Sequence, residues 1–220
     1  MQKPEHILPQ DIEARSFAII TEELGGRTFP SELEPVIKRV IHATADFEYA
    51  DNLVFTDGVI GRICDAVRRG ACFVTDTQMA AAGINKRVLA KAGAEVRCFT
   101  ADPDVAEAAK EKGITRSAAG IEKASQLHGP LVFVVGNAPT ALLEIAERIH
   151  AGTLHPEAVI GVPVGFVNVV AAKERILAED VPAIVARGRK GGSTVAAAIV
   201  NAILYELDPD RGRTDAAGMR

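Results

Sequence analysis

His42 lies in "RVIHATADFEYADNLVF" (39–55), at the end of an apolar helical run and beside acidic residues. Leu33, Val36, Ile37, Val40 and Ile41 recur at helical spacing and mark the face that meets the core. His42 falls about 100° round from Ile41, on the flank shared with Lys38 and Arg39. Asp46, four residues on, can face it on a continuing helix. A histidine off the buried stripe suits proton transfer near neutral pH, as a general acid. The plainer alternative is a structural residue, the commoner role of a lone histidine.

Four further stretches carry polar or cationic groups beside glycine. "VVGNAPTAL" (134–142) reads as strand, turn and helix start; Gly136, Asn137, Ala138 and Thr140 surround N–H groups able to hold an anion. Pro139 fits the first helical turn, and an ordinary turn is the competing reading. "ARGRKGGSTVAAA" (186–198) sets Arg187, Arg189 and Lys190 before Gly191, Gly192 and a helix starting near Ser193. Cations plus helix-terminal N–H groups suit a carboxylate or phosphate; a solvated basic loop is the alternative. "GITRSAAGI" (113–121) puts Arg116 and Ser117 at a helix start that Thr115 can cap. "DTQMAAAGI" (76–84) puts Asp76 and Gln78 at another, with Asp76 a candidate cap. Neither a P-loop nor a G-x-G-x-x-G motif is present, so a dinucleotide site has little support. His6, His128, His150 and His155 stand in less suggestive places, and no metal-ligand cluster or Ser/His/Asp set appears at local spacing.

These stretches need a frame to bring them together. Of five apolar runs, 71–76, 94–100, 131–136, 158–166 and 182–187, most are near-continuously hydrophobic, the pattern of strands buried on both faces. Helical segments at 77–91, 102–126, 137–151, 168–179 and 192–206 alternate with them. The alternation predicts a three-layer α/β/α domain over 1–207 with a five-stranded parallel sheet. Helices at 31–46 and 57–69 precede the sheet, the first capped by a Ser31–Glu34 box and the second by Asp57. The polar stretch 208–220 reads as a flexible tail. The loops after the five strands, "DTQMAAAGI", "TADPD", "GNAPTAL", "PVGFVN" and "RGRKGGS", lie at the rim where such sheets bind ligands.

With 48% hydrophobic residues, 220 residues suffice for a sizeable core. A net charge of -4 argues against general nucleic-acid binding. Cys64, Cys72 and Cys98 share no C-x-x-C spacing, so neither a disulfide scaffold nor a zinc site is expected. No signal-peptide pattern opens the chain, and no apolar run spans a membrane, which together suggest a cytoplasmic protein.

The ordered set "ARSFAII" (14–20), "RVIHATADFEYADNLVF" (39–55), "TDTQMAAAGI" (75–84), "TRSAAG" (115–120), "VVGNAPTAL" (134–142), "VIGVPVGFVN" (159–168) and "ARGRKGGSTVAAAIVNAI" (186–203) resembles the precorrin-8X and cobalt-precorrin-8 methylmutase family of cobalamin biosynthesis. Each motif alone is weak; their order and spacing along nearly the whole chain are specific. The resemblance implies a flavodoxin-like sheet, a homodimer and an isomerase that shifts a methyl group from C-11 to C-12 of a corrin precursor. It implies no redox cofactor, and any cobalt arrives in the substrate. The family's catalytic histidine matches His42, and "TADFEYADNLVF" leans toward the cobalt-dependent branch. The substrate would be a flat polycarboxylate with an apolar centre. Arg116, Arg187, Lys190 and the N–H groups at 137–140 and 191–193 are the expected contacts to its acids, and Ser16, Asp76, Gln78 and Ser117 are further expected substrate contacts. Gly136, Gly165 and Gly188 would admit close backbone approach, and Met79 or Phe166 would lie against the ring. A non-catalytic small-molecule or corrinoid-binding module is the rival reading; the D-x-H-x-x-G cobalt-ligand pattern of a carrier is absent.

Overall fold

Side chains of successive strand residues point to opposite faces of a sheet, and here both faces are apolar. In the strand Leu131–Val135, Val132 and Val134 join one core cluster, whereas Leu131, Phe133 and Val135 join another. A strand apolar on both sides must be covered on both sides. The computed structural model, which describes residues 7–208, shows that arrangement: three layers, α/β/α.

In chain order the elements are α1 (Ile12–Glu23), α2 (Glu34–Thr44), α3 (Tyr49–Asn52), β1 (Leu53–Phe55), α4 (Val59–Arg68), β2 (Cys72–Thr75), α5 (Gln78–Gly83), α6 (Lys86–Lys91) and β3 (Glu95–Arg97). They continue as α7 (Pro103–Lys112), α8 (Arg116–Ala124), β4 (Leu131–Val135), α9 (Pro139–His150), β5 (Ala158–Gly161), α10 (Val169–Leu177), β6 (Ala183–Ala186) and α11 (Ser193–Leu207). The sheet order is β1-β6-β5-β4-β2-β3. The parallel strands β2 to β6 follow the flavodoxin-like order, with the switch point between β2 and β4. Residues from α2, α4, α6 and α11 pack on one face, and residues from α7 to α10 on the other.

The sheet has six strands, not the five expected. The sixth, β1, runs antiparallel to β6, with Val54 opposite Val185. Two predicted helices are each broken in two. The 77–91 segment breaks at Gly83, where Asn85 accepts from the Val88 N–H and restarts a helix. The 102–126 segment breaks at Gly113, which is left-handed at φ +66°, and restarts at Thr115, whose side chain caps α8 as expected. The Ser31–Glu34 box does not form: α2 begins at Glu34 with Leu33 in the cap position. Gly58, not Asp57, precedes α4. Helix α1 is an addition and packs on α2. Most of the expected tail, from residue 209 onward, lies outside the described residues.

One consequence of the topology governs the site. Helix α2 stops at Ala45, which turns left-handed at φ +53° and donates its N–H to Ile41. The chain then returns through α3, where the Asn52 carbonyl accepts from the Arg187 N–H at 2.8 Å, immediately beyond β6. The end of α2 is thereby delivered to the carboxyl ends of the strands.

Candidate active site

His42 is exposed in the last turn of α2, and its imidazole stacks on Phe17 of α1 with ring centroids 5.3 Å apart and planes 12° from parallel. Stacking of this kind fixes the plane of a ring that would otherwise rotate freely. Ser16, Ile19, Ile41, Ala45 and Phe47 line a cleft of about 410 Å³ with His42. Ser16 donates to the Ile12 carbonyl at 2.9 Å. Arg39, one turn before His42, lies 4.7 Å from the Phe17 ring and pairs with Glu13 at 2.7 Å. Phe17 and Arg39 were not singled out in the sequence; their partners lie some 22 to 26 residues away, beyond the reach of local spacing.

Asp46 does not face His42. The left-handed turn at Ala45 swings it away, and it accepts from the Lys190 ammonium, which also pairs with Glu48 at 2.9 Å. The pairing holds the Asp46 carboxyl below the usual range and raises Lys190. Lys190 is therefore paired within the chain, with 42% of its side chain still exposed.

Asp76 is neither a helix cap nor a rim contact. It is buried, with 2% of its surface exposed, and Thr77 caps α5 instead. Its carboxylate accepts from the N–H groups of Gly136 and Asn137 at 2.8 Å each and of Ala138 at 2.6 Å. Burial raises its pKa and the three donors pull against that rise. The anion site anticipated at 137–140 is largely filled from within: Asp76 staples the two loops at the switch point. Gly136 belongs to the same joint, because a Cβ there would stand 2.8 Å from the Cα of Ser193. Its close approach is to its own chain.

The basic loop between β6 and α11 is exposed at Arg187, Gly188 and Arg189. Arg187 makes a loose pair with Glu174 at 3.4 Å and remains half exposed. Arg189 lies over the ring of Phe166, 5.5 Å from its centroid. Phe166, Val167 and Val164, on the β5–α10 loop, are 82%, 77% and 46% exposed, so an apolar ridge rises beside the cations. Gly165 shapes that ridge and donates its N–H to the Arg189 carbonyl at 3.1 Å. Of the N–H groups at 191–193, that of Gly192 is taken by Val162. Gly191 has φ +155°, and a Cβ there would fall 2.1 Å from the Val162 carbonyl oxygen.

Met79 is 70% exposed and lines a second cleft with Arg39, Ala43, Ser193 and Tyr205. Ser193 and Thr77 share a hydrogen bond of 2.8 Å. Gln78 turns aside to the Cys98 carbonyl at 3.2 Å. Arg116 and Ser117 begin α8 in the opposite helical layer, held to the same rim by the 2.7 Å bond between Thr115 and Thr140. The rim thus carries four features in sequence: the histidine cleft, the exposed cations, the apolar ridge and, beyond the Asp76 joint, Arg116. Among the described residues, no group of three or more His, Cys, Asp or Glu side chains is placed to hold a metal ion.

The fold is that of a flavodoxin-like α/β protein, with exposed cations and an apolar ridge side by side at its rim. The chain belongs to the precorrin-8X methylmutase family, whose model matches residues 11–206. It is 49% identical over 205 residues to the cobalt-precorrin-8 methylmutase of Salmonella typhimurium, covering 90% of this chain and 96% of that one. It is 44% identical to the cobalt-precorrin-8 methylmutase of Priestia megaterium, over 94% of this chain and 92% of that one. It is 40% identical to the precorrin-8X methylmutase of Pseudomonas aeruginosa, over 90% and 96%. The crystal structure of precorrin-8X methylmutase from Thermus thermophilus superposes with a TM-score of 0.81 at 38% identity, covering 94% of this chain and 98% of that one. Methylmutases of this kind are isomerases of cobalamin biosynthesis.

Proposed function

We propose that this chain isomerises cobalt-precorrin-8 to cobyrinic acid by a 1,5-sigmatropic shift of one methyl group, with His42 as general acid. The observation that carries the reading is His42 itself: exposed, ring plane fixed by Phe17, in an open cleft at the rim. In the shift the bond from C-11 to the methyl carbon breaks as the bond to C-12 forms, and the ring π electrons redistribute. Substrate and product are isomers, so the balance requires no co-substrate. Imidazolium hydrogen-bonded to the macrocycle, or protonating it transiently and recovering the proton, stabilises charge that develops as the methyl leaves. No resident cofactor is invoked; cobalt enters as part of the substrate.

Arg187, Arg189 and Arg116 hold rim carboxylates, and the ridge at Val164, Phe166 and Val167 lies against the apolar centre. Arg187 makes only one loose, half-exposed pair, which a ligand carboxylate can displace. The choice of the cobalt-loaded substrate over metal-free precorrin-8X follows the relatives of 49% and 44% identity, both named for the cobalt form. The chain acts as a homodimer in the cytoplasm, as the resemblance to its family implies; among the described residues no helix is long and apolar enough to cross a membrane.

Paired incubations with metal-free and cobalt-loaded substrate, followed by visible spectroscopy, test this. Conversion of the chromophore with turnover, faster on the cobalt form, is expected. Stoichiometric band shifts without turnover would reduce the protein to a binder.

A further inference from the structure

Helix α10 buries Val169, Ala172, Lys173 and Ile176 on one face, three apolar residues and one lysine. Lys173 has no exposed surface. A buried ammonium is costly unless other groups replace its water, and among the described residues no carboxylate pairs with this one. Its Nζ donates instead to two main-chain carbonyls, Gly188 at 2.9 Å and Lys190 at 2.8 Å. Burial pushes its pKa down to about 8, so it is still mostly charged at neutral pH.

Both carbonyls belong to the basic loop, and the carbonyl between them, of Arg189, accepts from the Gly165 N–H. Three consecutive carbonyl oxygens are therefore engaged by the body of the protein. The ends of the loop are tied as well, Arg187 N–H to Asn52 and Gly192 N–H to Val162. A loop that receives carboxylates must keep its own carbonyl dipoles off them, because each oxygen carries partial negative charge. With the oxygens consumed inside, the side chains of Arg187 and Arg189 face outward.

We propose that Lys173 is a positioning residue for substrate binding: by holding the carbonyls of Gly188 and Lys190 it fixes the 187–192 loop in the form that presents its arginines to the carboxylates of the macrocycle. The inference rests on the reading of this loop as a carboxylate contact. An ammonium filling space in the core would do none of this, and a methionine of similar length would replace it without effect on binding.

The test is Lys173→Met, with Lys173→Gln taking its place if the first does not fold. Two readouts are taken on the full chain. Trypsin reports the loop directly, because Arg187, Arg189 and Lys190 are three cleavage sites within it; cleavage there is expected to become at least about tenfold faster than in the wild type. Steady-state turnover of cobalt-precorrin-8 is expected to show KM raised about tenfold with kcat within about twofold, the signature of lost binding without lost chemistry. Unchanged cleavage, or unchanged KM, overturns the proposal. A wild-type protein that binds the macrocycle without converting it would sink the proposed activity alone; trypsin and the dissociation constant for the same macrocycle then decide the role of Lys173.

Discussion

Two loops at one rim each run from a buried strand into a long helix, and each is braced by a buried ion, of opposite sign in the two cases. Between β4 and α9 the ion is the Asp76 carboxylate, which consumes the N–H groups of Gly136, Asn137 and Ala138. Between β6 and α11 it is the Lys173 ammonium, which consumes the carbonyls of Gly188 and Lys190. An internal anion uses up the donors that make a helix N-terminus attractive to a ligand. An internal cation uses up acceptors and leaves the arginines facing out. The same local pattern, glycine before a helix, thus becomes a sealed joint in one place and an exposed cationic edge in the other. The deciding residue comes from elsewhere, 60 residues before Gly136 and 15 before Gly188.

The contrast can be broken most severely at Gly191. Its Cβ would overlap the Val162 carbonyl from a left-handed backbone, so Gly191→Ala is expected to cost about 4 kcal/mol or more, read as loss of the cooperative thermal transition. Asp76→Ala comes next: three buried N–H groups lose their acceptor, which should lower stability by about 3 kcal/mol and Tm by roughly 10 °C. If Asp76 is a joint, KM of the surviving folded enzyme stays unchanged; a raised KM with intact Tm would make it a substrate contact instead. Arg187→Ala should do the reverse, leaving Tm unaltered and weakening polycarboxylate binding by about 1 kcal/mol, some fivefold, with the loss shrinking in high salt.

The smallest effect concerns proton binding. Burial lowers Lys173 from 10.5 to about 8. Between those values the unfolded chain binds more protons than the folded one, so this group's contribution to stability rises with pH through that window. Denaturation midpoints of the wild type should gain on those of Lys173→Met between about pH 8 and pH 10. A difference that stays constant over that range would show the lysine to be unperturbed, and one that shrinks would show its pKa to be raised on folding.

How far the sequence reveals this depends on the distance over which each feature is built. The strands β2, β4, β5 and β6 are buried on both faces, so their runs are continuous and legible. The strand β1 is set by pairing with β6 across some 130 residues and leaves no local mark. His42 was legible as an off-stripe residue because periodicity is local; its stacking on Phe17 was not. Asp46 departs from the helical spacing because the chain turns left-handed at Ala45. Lys173 did leave a signal: 169, 172, 173 and 176 are one helical face, and a lysine inside that stripe marks a buried cation in need of partners.

The claim that most depends on experiment is the role of His42. Turnover of cobalt-precorrin-8 by His42→Ala, with folding checked by circular dichroism and substrate affinity by titration, measures it directly. The account predicts an intact fold, affinity within about threefold of wild type and a kcat lower by at least about 100-fold. A folded His42→Ala protein that converts the substrate at the wild-type rate would contradict it.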